Sequence, residues 1–369
     1  MTMIEVLPKI PLYQSYRRFG WPRLLPMNIT ITPSPRCNST CLTCNIWKKR
    51  ENDLTTEEWL KVFKSLGKAP FWFTISGGEP FLNRNIDELA IGAYEICEPG
   101  IINIPTNSIL VKRIAEKVET IAKNCPKSQV IINLSLDGVG EKHDKIRGVP
   151  GNFKKFEENL MNMKALSEKY ENLAIGIHTV ISNYNIDDAL EVFDYGFANA
   201  PDAFITEIAE ERVELDTMGL NITPQSESYN RVIDNLISRI EKRPYAGIAG
   251  ITQSFRLKYY ELVKRILVEE TQVVPCYAGW ASAQIYANGD VWPCAVRADN
   301  MLNLRDVDYD FKTVWYSEEA NRIRRSIYEK ECHCPLANAS YTNMLHNYTI
   351  LGNVMWRVAV NSVFHRTVA

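Results

Sequence analysis

Three cysteines stand close together in "PSPRCNSTCLTCNIW" (residues 33–47): Cys37, Cys41 and Cys44, spaced C-x3-C-x2-C. A closed tetrahedral metal site needs four ligands, and a disulfide needs two. Three thiolates suit a [4Fe–4S] cluster in which one iron has no protein ligand and stays open to a substrate or cofactor. Spacing alone leaves two alternatives open, a zinc site completed by a distant histidine or three core thiols.

Six further cysteines make nine in all. Cys276 and Cys294 bracket the hairpin-like "AQIYANGDVWPC", with an Asn288-Gly289 turn, and Cys332 and Cys334 follow at C-x-C spacing. Four thiolates from two pieces of chain can close a second [4Fe–4S] cluster. They suit a structural Zn²⁺ equally well, and His333 is an alternative ligand. Cys97 lies in an apolar helical pattern and Cys125 at a helix end before Pro126, so both read as packing thiols.

The first triad follows an apolar strand, "MNITIT", and precedes "SGGEP" (76–80) and "LSLDGVGEKHDKIRGVPGNF" (134–153). In this order the motifs resemble the radical S-adenosylmethionine (SAM) superfamily over about residues 28–215. The resemblance implies that the open iron of a [4Fe–4S] cluster on Cys37, Cys41 and Cys44 chelates SAM. Reductive cleavage would then give a 5′-deoxyadenosyl radical that removes a hydrogen atom from an unactivated carbon. It also implies SAM contacts at Gly78, Thr106 and Ser135, a backbone contact to adenine at Thr43, and an Arg147 that pairs with the SAM carboxylate. The residue types agree with this. Gly77 and Gly78 would let backbone approach the methionine moiety closely. Glu79 would accept from the SAM ammonium or simply orient the turn. The bland reading of Thr106 and Ser135 is strand-end capping, and of Arg147 an ion pair with Asp144. "C…NGDVWPC" resembles the SPASM and twitch extensions of such enzymes. With four cysteines in that region the chain resembles the shortened, single-cluster form. The whole resemblance implies an oxygen-sensitive oxidoreductase of the maturase type, served by an electron donor such as ferredoxin or flavodoxin.

The elements that must position these groups alternate. Helical patterns cover 54–68, 85–97, 111–124, 151–170 and 186–200, and strand-like runs cover 71–76, 101–107, 130–138, 173–181 and 203–210. Thr55 with Glu58 is a capping-box pattern. Strands read as apolar on both faces and separated by helices imply a parallel sheet that closes into a full or partial barrel or opens into a doubly wound sheet, and a partial (β/α)6 TIM-like barrel is the expected form. Its ligand site would lie at the strand C-termini, where Gly77–Glu79, Thr106-Asn107, Ser135-Asp137-Gly138 and Glu207–Glu210 fall. A small C-terminal α+β extension follows. It has helical patterns at 254–270 and 310–331 and an apolar segment at 341–364 that Gly352 interrupts. The expected division is an N-terminal extension (1–27), the core (28–245) and the auxiliary-cluster region (246–369).

Bulk composition narrows the partners. The 369 residues are 46% hydrophobic and 23% charged, with 42 Lys+Arg against 44 Asp+Glu. This is an ordinary globular balance, and nucleic acid is not an expected partner. No signal-type segment and no spanning run is read at the sequence level, which places the protein in the cytoplasm with reduced thiols. "YRRFGWPRLLP" and the apolar C-terminal segment permit peripheral membrane contact, although core burial is the better reading of the latter. The substrate classes left open are a peptide, a small molecule, and a lipid or lipid-linked sugar. A non-catalytic, metal-stapled scaffold with a structural zinc site is the alternative from another class.

Overall fold

The protein was analysed as a computed structural model, which describes residues 3–199, 202–242 and 247–366. Six parallel strands follow one another across the sheet: β1 (Asn28–Ile31), β2 (Trp72–Ile75), β3 (Ile101–Thr106), β4 (Gln129–Ser135), β5 (Leu173–Ile181) and β6 (Ala203–Ile208). Each pairs in parallel with its sequence neighbour, and helices such as Thr56–Leu66, Val111–Asn124 and Asn152–Lys169 make the crossovers. This is the expected β/α arc.

The C-terminal region does more than append itself. Strand β7 (Ser282–Ile285) pairs in parallel with β1, and β8 (Val291–Trp292) pairs antiparallel with β7, so the sheet has eight strands in the order 6-5-4-3-2-1-7-8. The hairpin is therefore part of the main sheet. The helix Ala337–Leu345 covers β1: Asn28 donates from Nδ2 to Asn338 Oδ1 (2.7 Å) and Thr342 Oγ1 (3.0 Å), and Asn338 Nδ2 donates to Thr30 Oγ1 (2.5 Å).

The expectation of strands apolar on both faces is corrected. One face carries Ile29, Ile31, Phe73, Ile75, Ile102, Ile104, Val130 and Ile132, all buried in the cluster that includes Trp59, Phe63, Ile114, Val118 and Phe156 from the helices. The alternate positions are largely polar: Thr30, Thr74, Asn103, Asn133, Ser135, His178 and Glu207. A fully packed barrel interior would not keep that row, whereas a face that receives a ligand does.

Local signals account for most helix ends. Thr55 and Glu58 form the capping box at Thr56–Leu66. The segment 310–331 divides into Phe311–Trp315 and Glu318–Tyr328, because Ser317 caps the second helix through the N–H of Ala320. The C-terminal segment breaks at His346–Asn347 rather than at Gly352. Asn347 Oδ1 accepts from Ile350 N–H (3.1 Å) and starts the helix Tyr348–Arg366, while Gly352 sits inside that helix with open space where a Cβ would go.

Candidate metal centres

Cys37, Cys41 and Cys44 lie in the loop that leaves the C-terminal end of β1. The turn closes through Cys44 N–H to the Cys41 carbonyl (3.2 Å). Donors are aimed at the sulfurs. Ser39 N–H lies 3.4 Å from Cys37 Sγ and Ile46 N–H 3.4 Å from Cys44 Sγ. Asn107 Nδ2 lies 3.8 Å from Cys37 Sγ and Arg147 Nη1 3.8 Å from Cys41 Sγ. Burial, with the neighbouring thiols adding to it, pushes Cys37 up to about 11 and Cys44 up to about 12. Thiols raised in this way give up their protons when they bind iron.

The residues after β2 hold this loop. A Cβ on Gly77 would lie 2.5 Å from the Ser34 carbonyl oxygen, and one on Gly78 would lie 2.1 Å from that of Arg36. Gly77 also has φ +118°. The close approach these glycines permit is thus to the cysteine loop itself, sealed by Gly78 N–H to Ser34 O (3.1 Å) and Glu79 N–H to Arg36 O (2.9 Å). Glu79 is buried and already partnered. It accepts from Phe81 N–H (3.1 Å), Thr106 Oγ1 (2.9 Å) and Asn107 N–H (2.7 Å). Burial raises it to about 7 against these donors. These three bonds orient the turn.

Thr106 spends its hydroxyl on Glu79, Ser135 ends β4 opposite His178, and Thr43 occupies the half-buried turn between Cys41 and Cys44. Arg147 does not pair with Asp144. Its partner is Asp137, at 2.8 Å and with both side chains largely buried, while Asp144 accepts the N–H groups of Gly151 (2.6 Å) and Phe153 (2.7 Å) at the next helix start. The sequence placed Asn107, Asp137 and Glu207 at strand ends but not their roles: Asn107 is a thiol donor, Asp137 the carboxylate behind Arg147, and Glu207 the partner (3.2 Å) of His178, which was not singled out. Asn107 and Asp137 each follow a strand by one or two residues, which is the signal that marks them. Glu210, expected near the mouth, pairs with Arg212 at 3.6 Å beyond β6.

The second group converges. Cys276, Cys294, Cys332 and Cys334 line one cavity of about 40 Å³, together with Val274, Val296 and Arg297. Arg297 Nη1 lies 3.9 Å from Cys332 Sγ. Burial pushes Cys294 up to about 12 and raises Cys276 and Cys334, against N–H donors from Arg297, Ala278 and Leu336 respectively. His333 borders the same cavity. Among the described residues no group of three or more His, Cys, Asp or Glu side chains is arranged around a single metal ion, at this cavity or at the first triad. Thiolates on a cubane bind separate irons and stand further apart, and converging buried thiols with N–H donors suit such a cluster. Cys97 and Cys125 are fully buried elsewhere in the core, as expected.

Two family models match separate parts of the chain. Residues 31–196 match the model of the radical SAM superfamily, and residues 276–335 match that of SPASM, an iron–sulfur cluster-binding domain. The second match runs from Cys276 to just past Cys334. The chain is 31% identical to Fe-coproporphyrin III synthase of Methanosarcina barkeri over 165 residues, covering 43% of this chain and 38% of that protein. It is 28% identical to the sporulation killing factor maturation protein SkfB of Bacillus subtilis over 175 residues, covering 46% of this chain and 39% of that protein. The chain thus spans well under half the length of these relatives. In fold it is similar to Streptococcus suis SuiB bound to its precursor peptide SuiA, with a TM-score of 0.60, 19% identity, and coverage of 88% of this chain and 72% of that one.

Proposed function

We propose, for a chain that carries a radical SAM domain and a C-terminal SPASM domain, that it is an enzyme which abstracts a hydrogen atom from an unactivated carbon of a polar substrate. Cys37, Cys41 and Cys44 hold the first [4Fe–4S] cluster in this reading, and the open iron takes SAM. When bound and reduced, that pair supplies the 5′-deoxyadenosyl radical. A ferredoxin- or flavodoxin-type protein supplies the electron.

The protein's own residues position and insulate. Gly77, Gly78, Glu79 and Thr106 fix the cysteine loop against β2 and β3. Asn107 and Arg147 direct positive hydrogens at the sulfurs, which favours the reduced cluster by stabilising added negative charge. Arg147 is the cation for the SAM carboxylate, and Thr43 and Ser135 border the cofactor. Cys276, Cys294, Cys332 and Cys334 hold one auxiliary [4Fe–4S] cluster, closed to substrate. The polar row from Thr30 to Glu207 receives the substrate, and a peptide is the first class to test, since SkfB carries the name of a maturation protein.

The observation that carries the proposal is the meeting of three thiols, two backbone N–H donors, Asn107 and Arg147 at the C-terminal ends of adjacent parallel strands. The test is anaerobic reconstitution followed by dithionite and SAM. Release of 5′-deoxyadenosine is expected, with iron and sulfide near eight each per chain, by four per cluster. Cys41→Ala should abolish the release and keep about four irons. Continued SAM cleavage by that variant would refute the N-terminal assignment. A count of about four irons plus one zinc in the unsubstituted protein would refute the auxiliary cluster.

A further inference from the structure

The N-terminal helix Ile10–Phe19 has one face committed to the body of the protein and one that is not. Ile10, Tyr13 and Tyr16 are buried. Tyr13 donates to the Leu25 carbonyl (2.6 Å), and Gln14 Nε2 donates to the His346 carbonyl (2.9 Å). These contacts fix the helix. Its other side ends in side chains with no apolar cover: Phe19 is 71% exposed and Trp21 74%. Gly20 terminates the helix at φ +73°, and Ser15 Oγ donates to the Trp21 carbonyl (2.6 Å), so the residue after the turn is tied back beside the helix end. Two large aromatics therefore project from an anchored support.

Arginines flank them. From Ile10 to Pro26 the chain has no acidic residue and three arginines, Arg17, Arg18 and Arg23. Arg17 is committed inward, donating to the Cys276 carbonyl (2.9 Å) and stacking on Tyr328. Arg18 and Arg23 are exposed, one over the Phe19 ring and the other over that of Tyr316. We propose that this helix end, through Phe19, Trp21, Arg18 and Arg23, docks the protein on an anionic lipid bilayer. Trp and Phe partition into the interface between headgroups and acyl chains, and arginine pairs with lipid phosphates there. The contact is peripheral, because no helix among the described residues is long and apolar enough to cross a membrane. Exposed arginines beside the two aromatics select an anionic bilayer over a neutral one. The inference stands independently of the radical chemistry proposed above.

The test is co-sedimentation of the full chain with phosphatidylglycerol–phosphatidylcholine vesicles and with pure phosphatidylcholine vesicles. Binding to the anionic vesicles is expected, with weakening as salt is raised. Phe19→Ser with Trp21→Ser, and separately Arg18→Glu with Arg23→Glu, should each weaken it roughly tenfold or more. Met161→Ser removes an exposed apolar side chain on the helix Asn152–Lys169 and should leave binding unchanged. Thermal melts followed by circular dichroism establish that each variant is folded. Equal binding to neutral vesicles, no binding to either, or full binding by the aromatic double variant would overturn the proposal. So would a dimer that the double variant converts to monomer while neither form sediments with vesicles, since the patch would then be an interface between copies.

Discussion

At Gly78 an added Cβ would lie 2.1 Å from the Arg36 carbonyl oxygen and 2.5 Å from that of Pro35. Both obstacles are backbone atoms one or two residues before Cys37, so a methyl group there must move the cysteine loop. Gly78→Ala should destabilise the protein by about 1–3 kcal/mol, the usual cost of overpacking. The reconstituted variant should lose roughly the four irons of one cluster and keep the other four. Iron counting beside a thermal melt checks this. A variant with full iron and an unchanged melting temperature would show that the loop yields without consequence. The glycines were visible in the sequence, but the partner they admit was not. Pairing such as Arg147 with Asp137 is equally hidden, because several carboxylates neighbour Arg147 in the chain and only the fold chooses one. What was legible at this scale was residue type at strand ends, where the polar groups of the site do collect.

Elements were legible where their signals are local. Val111–Asn124 and Leu173–Ile181 fall on the runs read from periodicity, and the capping box at Thr55–Glu58 is formed. The polar face of the sheet was missed because β1 and β2 have four residues each, too few for alternation to stand out from an apolar run. The pairing of β7 with β1 was missed because it joins residues some 250 positions apart. Glu58 shows how a local cap can also be a distant tie. Arg305 donates to it, as does the Tyr309 hydroxyl. Burial opposes ionisation, but these donors and the Thr55 N–H outweigh it and hold the carboxyl at about 2. Its folded value is below the unfolded one, so its contribution is present above about 4.5 and is lost as pH falls toward 2. Glu58→Gln keeps the capping geometry and removes the charge. It should lower the melting temperature at pH 7, and the deficit relative to the unsubstituted protein should shrink as pH drops through that window. Melts at several pH values check it. A deficit that is constant with pH would assign the effect to packing instead. Gly352→Ala, in open space inside the last helix, should stabilise by about 0.5–1 kcal/mol, read from the same melts.

Among the described residues one large hydrophobic cluster runs from Val6 and Tyr13 through the strands to Trp315 and Met344, and a small one of Ala295, Leu336 and Ala339 sits at the auxiliary cysteines. Sequence reading divided the chain at 245/246, because a cysteine-bearing extension after a β/α repeat resembles an added module. The packing gives that extension a second task. Strand β7 covers the edge of β1, and the helix Ala337–Leu345 pairs with Asn28 Nδ2 and Thr30 Oγ1 on its polar face. Trp315 Nε1 donates to the Leu24 carbonyl (2.8 Å), and Arg305 donates to the carbonyls of Asn52 (2.9 Å) and Asp53. A chain ending at residue 245 would expose the edge of the strand that leads into Cys37, along with the apolar surface beneath it. It should therefore fail to melt in a single cooperative transition and should aggregate, even though the first cysteine triad is intact. Circular dichroism melts with light scattering make the measurement. If the shortened chain instead unfolds cooperatively near the melting temperature of the full one and takes up about four irons, then the auxiliary region is dispensable to the core. The sheet continuity would then have no energetic weight. The expected outcome follows from elementary pairing: a four-residue parallel strand is held by its two neighbours, and the C-terminal region provides one of them.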